Sequence, residues 1–139
     1  IEIIRTELAN SGMKKTGKIL TVTVEGDLHD IGIKLVGMML EGAGFEVIHM
    51  GVDKPAEEII EKIKQCEPDI LAISAMLTTT MANMKTVIDV ISEEGLRDKI
   101  KIMIGGAPTS PSFAEKIGAN YSADASSAAI VAKKLMETA

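Results

Sequence analysis

Apolar positions in this chain gather in short, nearly continuous runs, separated by longer stretches with helical spacing. Lys18-Ile19-Leu20-Thr21-Val22-Thr23-Val24 is the first run, β-branched and of strand length. It stops at Glu25-Gly26-Asp27-Leu28-His29-Asp30-Ile31-Gly32, and a helical pattern over about Lys34 to Ala43 follows, ending at Gly42-Ala43-Gly44. Phe45 to Met50 is predicted as a second strand and Gly51 to Pro55 as a loop, with Pro55 suited to open the next helix. Ile59, Ile60 and Ile63 form that helix's buried face, and Pro68 breaks it. Asp69-Ile70-Leu71-Ala72-Ile73-Ser74 then reads as a strand covered on both faces.

Ala75 to Thr80 is a hydroxyl-rich loop, followed by a helix from about Met81 to Glu94 that Gly95 ends. Lys101-Ile102-Met103-Ile104 is a fourth strand running into Gly105-Gly106-Ala107-Pro108. A short helix over Pro111 to Gly118 and a brief fifth strand near Asn120-Tyr121-Ser122 come next. Asp124, Ser126 or Ser127 can cap a last helix through Glu137. Strands alternating with helices predict an α/β fold, a flavodoxin-like or Rossmann-like doubly wound, five-stranded parallel sheet. Right-handed crossovers bring the loops after strands one, three and four to one carboxyl edge, where such sheets bind ligands.

Ahead of this repeat, Ile1, Ile4, Leu8 and Met13 are spaced as one helical stripe that stops at Ser11-Gly12. A short helical segment is expected there, its packing partner outside the chain. A start at Ile1 rather than Met suggests a piece of something longer.

Composition narrows the function. Of 139 residues, 46% are hydrophobic but only 2% aromatic, so stacking platforms for single-stranded nucleic acid are nearly absent. A net charge of −5, from 20 acids against 15 bases, argues against a phosphate-backbone partner. One cysteine, Cys66, allows no internal disulfide, and no apolar run reaches the length of a membrane span, so a cytoplasmic setting is expected.

The chemistry available at the carboxyl edge is uneven. The first loop offers Asp27, His29 and Gly32, the third Ser74, Thr78 and Thr80, and the fourth Gly105-Gly106. His29 can be a general base, a ligand or a satisfied polar group. No G-x-S-x-G elbow accompanies it. With His29 and His49 the only imidazoles, a metal held by protein ligands alone is not expected; if His29 binds a metal, something else must supply the remaining ligands, as a macrocycle that leaves one axial position for an imidazole would. The G-x-G-x-x-G and P-loop patterns are missing from the turn, and Asp27 would repel a phosphate there. His49 is read as partly buried packing, the nine methionines as core filler, Thr80 as a possible helix cap, and Asp30 as an acid suited to a helix start.

Asp27-Leu28-His29-Asp30-Ile31-Gly32 resembles the D-x-H-x-x-G motif of cobalamin-binding domains, in the form seen in methionine synthase and in the corrinoid proteins of methyltransferase systems. Forty-one residues separate Gly32 from Ser74 and twenty-eight separate Met76 from Gly105, matching that family's S-x-L and G-G series. Met76 replaces its leucine, and Thr80 stands where methionine synthase has serine.

The resemblance implies a cobalamin bound base-off, its tail in a slot where Ser74 hydrogen-bonds it and Gly105 and Gly106 leave room, with Met76 and Thr78 also binding the cofactor. Leu28, Asp30 and Ile31 would lie beside it. His29 would be the lower axial ligand of cobalt, with Asp27 behind its far nitrogen and Thr80 continuing a proton relay. The implied function is a corrinoid methyl carrier, not a complete catalyst, which shuttles a methyl group between a substrate:corrinoid methyltransferase and an acceptor methyltransferase. A reductive activation protein would be a further partner. The stretch Ser74 to Met81 looks like methylamine-type corrinoid proteins. A cobalamin-dependent sensor or regulator module and an adenosylcobalamin mutase subunit are the alternatives. On this reading residues 1 to 15 end a helical cap or linker, and 16 to 139 are the cobalamin-binding domain.

Overall fold

A computed structural model describes residues 17–29, 31–106, 108–122 and 124–137. The helical segment expected over residues 1 to 13 lies outside them. Five strands, β1 (Lys18–Val24), β2 (Glu46–Lys54), β3 (Ile70–Ser74), β4 (Lys101–Gly105) and β5 (Asn120–Tyr121), form one parallel sheet in the order β2-β1-β3-β4-β5. Between them run α1 (Ile31–Gly42), α2 (Ala56–Cys66), α3 (Thr78–Glu93) and α4 (Pro111–Ile117); α5 (Ala125–Glu137) closes the chain, and a single 3-10 turn, Arg97–Lys99, precedes β4.

The doubly wound prediction holds, and the helices divide between two faces. On one, Leu20, Val22 and Val24 of β1 pack with Ile59 and Ile63 of α2, Met84 and Ile88 of α3, and Ala114 of α4. On the other, Ile19, Ile70 and Met103 pack with Leu40 of α1, Phe45, and Ala128 and Ala132 of α5. β3 is buried at all five positions, as its unbroken apolar run requires.

Two element boundaries differ from expectation. β2 continues through Gly51-Val52-Asp53-Lys54 instead of ending at Met50, with two register shifts against β1 along the way. Bulges keep an irregular segment paired, so residues with turn-like composition remain strand. Likewise α3 begins at Thr78, three residues before the expected start, with Leu77 at its N-cap. Asp124 caps α5 as anticipated, its Oδ1 accepting from the Ser127 N–H at 2.8 Å.

β1 and β3 are adjacent, yet the chain leaves them toward opposite sides of the sheet. That reversal opens a crevice between the loops that follow them. Thr23, Ser74 and Gly105 lie side by side across its floor.

Candidate functional site at the carboxyl edge

Asp27 is the hub of this edge. Its side chain is fully buried at the end of β1, where an isolated carboxylate would be costly. Four donors surround it. Oδ1 accepts from the His29 main-chain N–H at 3.1 Å and faces His29 Nδ1 at 2.8 Å; Oδ2 accepts from the Met76 N–H at 2.6 Å and the Thr80 hydroxyl at 2.8 Å. Burial alone would raise the carboxyl's pKa, but the Met76 N–H, His29 and Thr80 together hold it at about 2, below its usual 3.8. Asp27 is therefore an anion at neutral pH. An anionic acceptor against Nδ1 places the ring proton there and leaves Nε2 with a lone pair.

His29 points this lone pair outward. Its side chain is 55% exposed, and among the described residues Nε2 has no partner. Leu28 (70% exposed) and Ile31 (75%) flank it, with Leu77 exposed on the loop after β3. Large apolar side chains left open around one histidine mark a surface made to be covered.

Beside this rim lies a cavity of about 280 Å³ between α1, the ends of β3 and β4, and the start of α5. Gly32, Ser74, Met76, Gly105 and Gly106 line it, together with Ser122 and Asp124. Ser74 is 6% exposed, and its hydroxyl has no hydrogen-bond partner among the described residues. A buried hydroxyl facing a cavity without a partner is an invitation to a ligand's polar group.

The glycines differ in meaning. A Cβ on Gly32 would meet nothing within 4 Å, so the chain's own packing does not require glycine there. At Gly106, with φ +125°, a Cβ would fall 1.9 Å from the Ala75 carbonyl oxygen, which excludes any side chain even without a ligand.

Most of the expected residues thus converge, in two groups. Asp27, His29 and Thr80 form a hydrogen-bonded chain, while Gly32, Ser74, Met76, Gly105 and Gly106 line the cavity. Thr78 is exposed on the first turn of α3 and belongs to neither group, and Asp30 lies outside the described residues. Thr80 does not cap α3; its hydroxyl turns to Asp27, with the Leu77 carbonyl also within reach at 2.9 Å. Sequence reasoning missed Ser122, a buried hydroxyl on the cavity wall, because a serine after a two-residue strand carries no periodic signal. Asp53, whose Oδ1 accepts from the Gly26 N–H at 2.8 Å, reads from the sequence as part of a plain loop. Among the described residues no group of three or more His, Cys, Asp and Glu side chains could hold a metal ion, and no helix is long and apolar enough to cross a membrane.

Comparison with known proteins agrees with this geometry. A family model described as the B12 binding domain matches residues 17–131. The chain is 44% identical over 137 residues to dimethylamine corrinoid protein 3 of Methanosarcina acetivorans, a match covering 98% of this chain and 64% of that protein. It therefore spans just under two thirds of that relative's length. The monomethylamine corrinoid protein of Methanosarcina barkeri superposes with a TM-score of 0.82 at 40% identity, over 96% of this chain and 64% of that one. The methanol:cobalamin methyltransferase complex MtaBC of the same organism gives 0.85 at 30% identity, over 96% and 52%. The chain belongs to the B12-binding domain family, and its cofactor is cobalamin.

Proposed function

We propose that the chain is the cobalamin-binding part of a corrinoid methyl carrier and that it binds the cofactor base-off, with His29 Nε2 on cobalt. One observation carries this reading: the ionised, buried Asp27 holds His29 by Nδ1 and leaves Nε2 free at the open carboxyl edge. The cavity fits the cofactor's tail by its chemistry. Ser74 offers an unpartnered hydroxyl, and Gly32 leaves space that the protein itself does not use. Leu28, Ile31 and Leu77 would offer apolar contact to the bound cofactor.

When bound, the cobalt centre supplies a site that accepts and releases a methyl group. The protein's part is to orient the imidazole and to manage its proton. Asp27 retains the Nδ1 proton through a charge-assisted hydrogen bond, which raises the donor strength of Nε2. Thr80 donates to the opposite carboxylate oxygen, so Asp27 stays fixed when His29 moves. The chain would exchange methyl groups with a substrate:corrinoid methyltransferase and an acceptor methyltransferase, with a reductive activation protein in the same cytoplasmic system. The dimethylamine and monomethylamine corrinoid proteins among its relatives favour a methylamine as the methyl source. Residues 1 to 15 would then join the domain to a helical cap.

Reconstitution with hydroxocobalamin tests the reading. Reduction to the cobalt(II) state should show nitrogen hyperfine coupling in the EPR spectrum of the wild type and none in His29→Ala. Identical spectra would overturn His29 ligation, and failure of the wild type to take up cobalamin would overturn the whole assignment.

A further inference from the structure

We propose that Asp53, at the end of the edge strand β2, is a positioning residue for the His29 loop; the inference rests on the reading of His29 as the cobalt ligand. The loop is held from two sides. From the inside, Met76 and Thr80 hold the Asp27 carboxylate. On the outside, Asp53 makes a reciprocal clamp. Its Oδ1 accepts from the Gly26 N–H at 2.8 Å, and its own N–H donates to the Asp27 carbonyl at 3.0 Å. The two hydrogen bonds bracket the peptide that leads into Asp27 and so fix the direction in which that carboxylate, and the imidazole on it, must point.

The backbone of β2 is deformed to allow this. The pairs Thr21↔His49, Val22↔Gly51 and Val24↔Lys54 show one residue too many on β2 at each of two successive steps. Bulges of this kind re-aim a side chain out of the ladder. Asp53 itself has φ 54°, a left-handed conformation that aspartate and asparagine tolerate and β-branched residues do not. Its partner Gly26 has φ 86°. Two left-handed residues, one in the loop after β1 and one in β2, joined by a hydrogen bond that the sheet ladder does not need, are more than a turn requires. A plain edge strand would have ended before Gly51. Here it runs on through two bulges to Lys54, the partner of Val24 at the end of β1, and delivers an acceptor to the loop that carries His29.

The proposal predicts an effect on ligand geometry rather than on folding. Asp53→Gly keeps the left-handed backbone and removes the carboxylate; Asp53→Asn keeps both the conformation and a carbonyl acceptor. The test uses the protein loaded with hydroxocobalamin and reduced to cobalt(II), with wild type, Asp53→Gly, Asp53→Asn and His29→Ala compared side by side by EPR. Asp53→Gly should still bind cobalamin and unfold at the wild-type temperature. Its ratio of nitrogen-coordinated to base-off, uncoordinated cobalt should fall about fivefold, as expected when a charge-assisted hydrogen bond that favours one geometry is lost. Asp53→Asn should recover most of that ratio. In the unloaded protein, ¹⁵N spectra of the His29 ring should show the Nδ1-protonated tautomer in wild type and a mixture in Asp53→Gly. A wild-type ratio in Asp53→Gly, or an equal loss in Asp53→Asn, overturns the role of Asp53 while His29→Ala still reports ligation. An unchanged spectrum in His29→Ala removes the ligation reading and the proposal with it.

Discussion

The chain has two histidines, and their surroundings separate the one proposed as a cobalt ligand from the other. His29 sits on the loop after β1 with Nδ1 2.8 Å from a fully buried carboxylate and Nε2 open. His49 sits on β2 with Nδ1 3.3 Å from the Thr21 hydroxyl and Nε2 3.9 Å from Glu41. Both rings are about half exposed, so exposure does not separate them. Anchoring does: a buried anion fixes the tautomer and aim of His29, while His49 has only long contacts and leans on the small Gly37 beneath it. The sharpest way to break this contrast is to exchange each ring for a methyl group. His29→Ala should abolish nitrogen coordination of cobalt, and His49→Ala should leave the spectrum unchanged. A spectral change in His49→Ala would mean that anchoring by a buried acid is the wrong criterion.

How much of this was legible beforehand follows the same contrast. β1, β3 and β4 were readable because strands covered on both faces need unbroken apolar runs, and the loop after β1 because its D-x-H-x-x-G pattern and its spacing to Ser74 and Gly105 resemble the cobalamin-binding series. Ser74 and Gly105 are register partners in the sheet, so their separation along the sequence is a geometric constraint. The end of β2 was not legible. Gly51 and Asp53 both have positive φ, and residues that adopt it look like a turn whether or not the strand continues. The start of α3 was obscured because three threonines read as loop, although β-branched residues lower helix propensity only slightly and tertiary contacts at Thr80 override it. The hydrogen bonds of Thr80 to Asp27 and of Asp53 to Gly26 join residues far apart in the chain, and no local pattern reports such a pair.

Stability separates the two surroundings next. Asp27→Ala strands the Met76 N–H, the Thr80 hydroxyl and the His29 ring, and should cost about 3 kcal/mol by denaturant unfolding of the unloaded protein. The matching change beside His49, Thr21→Val, removes a hydroxyl whose contacts to Ile48 and His49 are 3.4 and 3.3 Å, and should cost no more than about 1 kcal/mol. Equal losses would show that the Asp27 network is ordinary packing.

Acid titration of the unloaded protein gives a smaller effect with a defined sign. The Asp27 carboxyl lies at about 2 in the folded chain, against 3.8 when exposed. A lowered folded pKa contributes stability that is complete above the unfolded value and is lost as pH falls from about 4 through 2. The difference is worth about 2 kcal/mol. Asp27→Asn, which cannot ionise, should flatten that part of the stability profile. A profile of unchanged slope would mean that the carboxylate is not the anion the geometry makes it.

The least expected effect is at Gly37, where two terms nearly cancel. A Cβ there would lie 2.3 Å from His49 Cε1, so the ring must move in Gly37→Ala. The ring is half exposed and its partners are distant, so it can swing toward solvent at little cost. Against that cost, replacing glycine by alanine inside α1 gains up to about 1 kcal/mol of helix propensity. The net change in unfolding free energy should lie within about 0.5 kcal/mol of zero, with cobalt ligation untouched. A loss above about 2 kcal/mol would mean that the His49 ring is held as firmly as that of His29. The contrast between the two histidines would then rest on position along the sheet edge alone.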